Sequence, residues 1–261
     1  MKSTHGFSLM EMIAVMAIIA ILAAVLAPNL IDSIDRADVA AERQNLVQLA
    51  DDLERYISRT GIVPSSNSGV WSAAIASVGK RPSNDVLRNR REHARFVYFD
   101  PNFLFASGGF SGYTQSSGLA NAPASPRFMI ISNIKGDIPA QASDAARFEN
   151  IWSQNASAAI VESSDIIIER RHLGGHFHRV LLSNADTAQA GYTINGVGPY
   201  AVPAASGSTD GFVSAYIIDG SEVAVYAGPY PTGALQTAVL VKGYVGMSYD
   251  PVGAGHTWVK Q

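Results

Sequence analysis

The chain has 261 residues, a formal net charge of -3 and 16% charged residues. This length suffices for one large domain or two small ones, and the charge excludes the strongly basic composition typical of nucleic-acid-binding proteins. The chain contains no cysteine, which excludes disulfides, cysteine-based zinc sites and thiol catalysis.

The most informative segment lies near the N-terminus, where no charged residue occurs between Met12 and Ile31. An apolar run of this kind is about as long as a membrane-spanning helix. Only the short polar leader MKSTHG precedes it, so the small residue Gly6 lies before the run. A secretory signal peptide, in contrast, is cleaved after its apolar run. Glu11 stands at the start of the run, where a carboxylate is costly in lipid and usually marks a functional position.

The sequence GFSLMEMIAVMAIIAILAAVLAP resembles the N-terminal signature of type IV prepilins. Gly6 and Phe7 match its cleavage junction, Glu11 matches its glutamate at the fifth mature position, and Pro28 matches a common proline position. The resemblance implies cleavage between Gly6 and Phe7 by a prepilin peptidase, N-methylation of Phe7 and a role for Glu11 in assembly. Because proline lacks an amide hydrogen, we expect a helix bend near residues 24–28.

After Pro28 the pattern stays helical but becomes amphipathic. Apolar residues at a spacing of three to four predict one buried face, formed by Ile31, Ile34, Leu46, Leu49, Leu53 and Ile57. Gly61, followed by Pro64, predicts the end of the helix. The sequence therefore predicts a leader (residues 1–6), a long helix (residues 7–60) and a globular head (residues 61–261). The helix is expected to be transmembrane over about residues 8–31 and amphipathic over residues 32–60.

The head is predicted to be rich in strands. Apolar segments bounded by glycine, serine and other turn residues predict strands at residues 95–99, 128–134, 159–168, 176–182, 212–218, 222–227 and 238–249. Asp219-Gly220 predicts a tight hairpin between two of them, and Leu173-Gly174-Gly175 predicts a second turn. One long helix followed by several strands predicts an α+β fold with an antiparallel sheet. The resemblance implies the same pilin-like architecture.

A basic stretch in the head has two interpretations. It consists of Lys80, Arg81, Arg88, Arg90, Arg91 and Arg95, and aromatic residues follow it. Basic and aromatic residues together can hold nucleic acid. The alternative is a solvated face, or a patch paired with acidic groups such as Asp51, Asp52 and Glu54 on the helix of its own or of another subunit. We favour the second interpretation, so a nucleic-acid partner is disfavoured.

No pattern in the head predicts a metal site or catalysis. His172, His176 and His178 surround the Gly174-Gly175 turn, but no cysteine or closely spaced carboxylate completes a ligand set. Asp210, Asp219 and Asp250 are scattered over separate turns, so they do not indicate a calcium site. A phosphate loop, a nucleophile elbow and an HExxH motif are all absent. We therefore expect no metal, no cofactor, no catalytic residue and no enzymatic activity.

The resemblance implies a structural subunit, either a minor pilin or a pseudopilin, of a type II secretion pseudopilus or a type IV pilus. The implied partners are a prepilin peptidase, other pilin or pseudopilin subunits, an inner-membrane assembly platform and, before assembly, membrane lipid. The implied location is the bacterial inner membrane, with a single span and the head outside the cytoplasm, and later a periplasmic pseudopilus or an extracellular pilus. The alternative is a membrane-anchored minor subunit whose head binds a secreted substrate, a surface or DNA.

Overall fold

The computed structural model describes residues 9–106, 109–112, 123–138, 144–228, 230–250 and 257–261, and for residues 25–29, 104–106, 109–111 and 250 it describes the backbone alone. Within these ranges the helices are α1 Leu9–Thr60, α2 Ser68–Gly79, α3 Ser83–Leu87 and α4 Ala145–Ser153. The strands are β1 Phe96–Phe99, β2 Leu104–Ala106, β3 Gly109–Ser111, β4 Arg127–Asn133, β5 Ile166–His172, β6 Phe177–Asn184, β7 Ala190–Ile194, β8 Val197–Val202, β9 Gly211–Ile218, β10 Glu222–Ala227, β11 Ala234–Leu240, β12 Val245–Asp250 and β13 Thr257–Lys260.

The long helix α1 forms the N-terminal part of the fold. Its 52 residues contain no glycine, and its first half consists largely of alanine, leucine, isoleucine and methionine. At its end, the Thr60 hydroxyl donates to the carbonyl of Tyr56 at 2.8 Å. Gly61 follows with a φ of +69°, the left-handed conformation that favours glycine after a helix. The predicted long helix is confirmed, and it ends immediately before Gly61.

The bend near Pro28 and the membrane span over about residues 8–31 both stay predictions. The helix continues through Pro28 without interruption, and the side chains around the expected bend lie outside the described ones. Among the helices that the described residues form, none combines the length and the apolar character that crossing a membrane requires.

The described strands of the head form three sheets. The first is antiparallel, with the strand order β1-β4-β5, and the second is antiparallel, with the order β11-β10-β7-β8. The third has the order β13-β12-β6-β9-β3-β2 and is mixed, because β12 runs parallel to β6. The predicted α+β class is confirmed. The single antiparallel sheet that we expected is instead two antiparallel sheets and one mixed sheet.

Three apolar clusters hold these layers together. β4 lies between two of them, because successive strand residues point to opposite faces. Phe128 and Ile130 pack in the cluster that contains α1 and α2, whereas Met129 and Ile131 pack in the cluster that contains α4. The third cluster fills the space between the second and third sheets and includes Trp258. The second and third sheets therefore form a sandwich, and α1 packs on the head through α2 and the β1-β4-β5 sheet.

The hairpin predicted at Asp219-Gly220 is wrong. The turn is tight, since the Ser221 amide donates to the Ile218 carbonyl at 3.1 Å and Gly220 has a φ of +80°. However, β9 before the turn pairs with β6 and β3, whereas β10 after it pairs with β7 and β11. The turn therefore carries the chain from one sheet to the other. Turn residues determine the local geometry, but the choice of strand partner depends on which faces become buried in the core.

Other strand boundaries also differ from the predictions. The segment predicted as one strand over residues 238–249 is divided into β11 and β12, with residues 241–244 between them, and the two strands belong to different sheets. The strand predicted to begin at residue 159 begins at Ile166 instead. The predictions did not include β2, β3, β7, β8 and β13.

Candidate assembly interface

The first half of α1 is an exposed apolar surface. Glu11 is the only charged residue between Leu9 and Ile31. The exposed large side chains along it are Leu9, Met10, Met12, Ile13, Val15, Met16, Ile18, Ile19, Ile21 and Leu22. Apolar surface of this extent marks contact with another protein or with lipid.

Glu11 is exposed and lies in the first turn of α1. The partial positive charge at a helix N-terminus favours a carboxylate at this position. Gly6 and Phe7 lie outside the described residues. The structure therefore places Glu11 at the start of the apolar surface and Pro28 near its end, and does not place the predicted cleavage junction.

A buried ion pair joins the second half of α1 to the head. Arg95, immediately before β1, donates from Nε and Nη2 to the two carboxylate oxygens of Glu42, at 2.6 and 2.7 Å. Its Nη1 donates to the carbonyls of Asp85 and Val86 at 2.7 and 3.0 Å. Both charged side chains are buried. Because a displaced helix would leave both charges buried and unpaired, this pair fixes the position of the head along α1.

Most of the basic stretch faces α1, as the second interpretation predicted. Arg81 donates to Asn45 Oδ1 and Gln48 Oε1 at 3.0 and 2.8 Å. Arg91 donates to Asp38 at 2.9 Å and also pairs with Asp35. The basic side chains are therefore used to hold the helix against the head.

The acidic partners of this stretch are not the ones we expected. Asp51 accepts a hydrogen bond from Arg171 at 3.0 Å, Asp52 pairs with Arg55 at 3.2 Å, and Glu54 faces the β5–β6 turn. The acidic positions that meet the basic stretch lie farther towards the N-terminus of α1, because the loop after α3, which carries Arg90 and Arg91, contacts the helix there. Asp35, Asp38 and Glu42 are spaced by three and four residues, so they share one face of α1.

Glu54 lies in a cleft between α1 and the β5–β6 turn. Its carboxylate oxygens are 3.7 Å from Arg171 Nε and 4.0 Å from His176 Nε2. Burial raises the pKa of the Glu54 carboxyl above its ordinary value, and the charges of Arg171 and His176 oppose this effect without cancelling it. This carboxylate is therefore held close to cations, but at the cost of lost hydration.

The three histidines near the Gly174-Gly175 turn have separate surroundings. His172 packs edge-on against Trp152, with ring centroids 5.2 Å apart. His178 Nε2 lies 3.1 Å from Asp219 Oδ1, and His176 faces Glu54. In the part of the chain that the structure describes, no three histidine, aspartate or glutamate side chains are grouped so that they could hold a metal ion.

Comparison with known families identifies the N-terminal segment, which runs into the exposed half of α1. Residues 1–27 match the prokaryotic N-terminal methylation motif. This is a prepilin signature. No curated protein and no solved structure matches the chain. The prepilin signature confirms the resemblance to type IV pilins and pseudopilins, and implies processing by a prepilin peptidase and assembly with other pilin subunits.

The prepilin signature does not extend to the head, and sequence reasoning named the wrong acidic residues of the helix as partners of the basic stretch. The available signal was the acidic stripe of Asp35, Asp38 and Glu42 beside the apolar face of the helix. Opposite it, the head offers a compact basic stretch. Opposite charges at matching spacing could have indicated that these two segments meet.

Proposed function

We propose that this chain is a subunit of a type IV pilus or of a type II secretion pseudopilus, and specifically a minor pilin or pseudopilin. The observation that carries the proposal is the position of the prepilin signature. It covers the N-terminal segment of a 52-residue helix whose first half is apolar and exposed. The second half of the same helix is packed into the head. Such a helix can hold a head on one end while the other end packs among identical or related helices.

In this proposal, cleavage between Gly6 and Phe7 creates a cationic amine on Phe7, which the prepilin peptidase methylates. Residues 8–31 first anchor the chain in the inner membrane, with the head outside the cytoplasm. An assembly platform then transfers the chain into the filament, where the apolar half of α1 leaves lipid for contact with other subunits. There the amine of Phe7 and the Glu11 carboxylate of a neighbouring subunit neutralise each other, so neither remains an isolated buried charge.

Two features of the sequence support a minor pilin or pseudopilin, and a third narrows the choice. The head, residues 61–261, is large for the main repeating subunit of a filament. The chain also lacks the cysteine pair that commonly closes the C-terminal loop of type IV pilins. The presence of Glu11 argues against the capping type of pseudopilin, which typically lacks this carboxylate.

Processing tests the proposal directly. When the full chain is co-expressed with a prepilin peptidase, we expect the loss of residues 1–6 and an intact mass that corresponds to a methylated chain beginning at Phe7. A Gly6→Leu variant is the matched control, because a bulky side chain replaces the small residue at the junction, and it should keep its leader. An unprocessed wild-type chain, or cleavage beyond Ala24, contradicts the proposal.

Fractionation tests the second step, assembly. Sheared filaments from cells that carry the complete assembly system should contain the processed chain, detected by immunoblot. A processed chain found in the membrane fraction alone would instead support the anchored binding module.

A further inference from the structure

The joint between α1 and the head consists of two parts that are held by different kinds of contact. On the C-terminal side of Val39 the joint combines the buried Glu42–Arg95 pair with apolar packing, in which Leu46, Leu49, Leu53 and Ile57 are completely buried. On the N-terminal side of Val39 the apolar side chains of the helix do not pack on the head, since Leu30, Ile31 and Ile34 are 61%, 59% and 50% exposed. Contacts other than apolar packing therefore hold this N-terminal segment against the head.

That contact is a group of ion pairs, which we call the ionic strap: Asp35 and Asp38 on α1, with Arg90, Arg91 and Lys135 on the head. Arg91 bridges both aspartates, and Arg90 Nη1 is 3.7 Å from Asp38. Lys135 Nζ is 3.9 Å from Asp35 and 3.1 Å from Asp165. Among the described residues, these are the ion pairs that join this segment of α1 to the head.

The head side of the ionic strap is held in place by contacts that do not involve Asp35 or Asp38. Asn89, at the base of the loop, donates to the Asn133 carbonyl at 2.7 Å and accepts from the amides of Arg91 and His93 at 3.0 Å. At the other end of the loop, Arg95 is fixed by its buried pair with Glu42. Separation of Asp35 and Asp38 from the loop would therefore leave the loop and the apolar joint intact.

Salt acts differently on the two parts. The ionic strap is in contact with solvent: the side chains of Arg90 and Lys135 are 77% and 53% exposed, and those of Arg91, Asp35 and Asp38 are 29%, 27% and 19% exposed. Exposed ion pairs are weak and are screened by salt, because the Debye length falls from about 10 Å at 0.1 M to about 3 Å at 1 M. Apolar burial is not weakened in this way. The two parts can thus be separated experimentally.

We infer that the ionic strap is a releasable joint, which opens without unfolding of the head and lets the segment of α1 before Val39 bend away from the head while the helix after Glu42 stays packed. Opening of the ionic strap involves residues of one chain, so this inference does not depend on the filament proposed above. Such opening would allow one head to adopt different angles to the N-terminal segment of its helix, as when α1 is surrounded by lipid and when it is packed among other helices.

Spin-label distances on the full chain in detergent micelles test the inference. The chain has no cysteine, so Ser33→Cys on α1 and Ser83→Cys on the head, both exposed, provide two labelling sites outside the ionic strap. At 50 mM NaCl we expect one narrow distance distribution. At 1 M NaCl, and in an Arg91→Ala variant at 50 mM NaCl, we expect a broader distribution that extends to longer distances.

The matched control is Arg147→Ala, which removes another exposed ion pair, with Asp144, far from α1 in sequence. It should retain the narrow distribution, and near-UV circular dichroism should show a folded head in every sample. An unchanged narrow distribution at 1 M NaCl and in Arg91→Ala would overturn the inference. Equal broadening in Arg147→Ala, or loss of the near-UV signal together with the broadening, would overturn it as well.

Discussion

At the scale of single residues, the buried pair of Glu42 and Arg95 is the contact most sensitive to substitution. A Glu42→Leu variant leaves the guanidinium buried without its carboxylate, which is expected to lower the free energy of unfolding by about 3–5 kcal/mol. Urea unfolding measures this loss. The control is Arg43→Leu, an exposed neighbour on the same helix, whose effect should stay within about 0.5 kcal/mol.

A second substitution separates the charge from the packing. Adding Arg95→Met to Glu42→Leu removes both buried charges and should recover part of the lost stability. Recovery stays incomplete, because the carbonyls of Asp85 and Val86 then lose their donor. A Glu42→Leu variant as stable as the wild type would show that the pair does not hold the joint.

Glu54 makes the stability of the joint depend on pH. Its pKa in the folded chain is raised above the ordinary 4.5, mainly by burial. The folded state therefore binds the proton more tightly than the unfolded state, and the stability that protonation adds is fully present below pH 4.5. This contribution is lost as pH rises through the folded pKa.

A Glu54→Gln variant should remove that dependence. It keeps the shape of the side chain without the charge, so its stability relative to the wild type should increase between pH 4 and pH 7. Urea unfolding at both pH values measures the difference, and Glu92→Gln, an exposed acid, is the control. If Glu54→Gln destabilises the chain at pH 7, the attraction of Arg171 outweighs the cost of burial.

At the scale of elements, the head depends on the second half of α1. A chain that begins at Asn29 retains Leu46, Leu49, Leu53 and Ile57 and should be soluble, monomeric and folded. A chain that begins at Gly61 exposes the surface that these four residues cover. At about 1.5–3 kcal/mol for each large side chain, the loss exceeds much of a typical domain's stability. Thermal melting compares the two chains, and a cooperative transition at the same temperature in the shorter one would contradict the packing.

Local patterns predicted the elements better than their partners. The long helix was predictable because its composition, its apolar spacing and Gly61 all act within a few turns. The β7–β8 hairpin was missed, although Asn195-Gly196 joins the two strands with φ values of +50° and +75°. This dipeptide is a strong hairpin signal. The strands beside it contain Gly191, Gly198 and Pro199 and therefore show a weak strand pattern.

At the scale of the whole molecule, the contacts that matter join distant segments. Glu42 and Arg95 are 53 positions apart, and the parallel pairing of β6 with β12 joins Val180 to Val245. Local propensity carries no information on such partners, since they depend on which arrangement buries three apolar clusters at once. The N-terminal signature, in contrast, could be recognised in the sequence, because the residues of such a signature are contiguous.

For the whole molecule, the effect of substituting Glu11 distinguishes a filament subunit from a simple membrane anchor. In an anchor, Glu11→Leu removes a charge from an apolar segment and should be harmless. In a filament it leaves the amine of Phe7 without its carboxylate, at a cost of about 3–5 kcal/mol. That cost corresponds to roughly a thousandfold in the equilibrium for adding a subunit. We expect a processed protein that remains in the membrane, because leucine favours insertion, and fails to enter filaments.

Immunoblots of sheared-filament and membrane fractions measure the outcome, with processing checked by size. Met12→Leu is the matched control, since it alters the adjacent residue without a change of charge, and it should assemble normally. If Glu11→Leu enters filaments as the wild type does, the pairing of Phe7 with Glu11 is not what sets the register of the subunits. If both variants fail, the defect lies in the apolar surface of α1 and not in its one carboxylate.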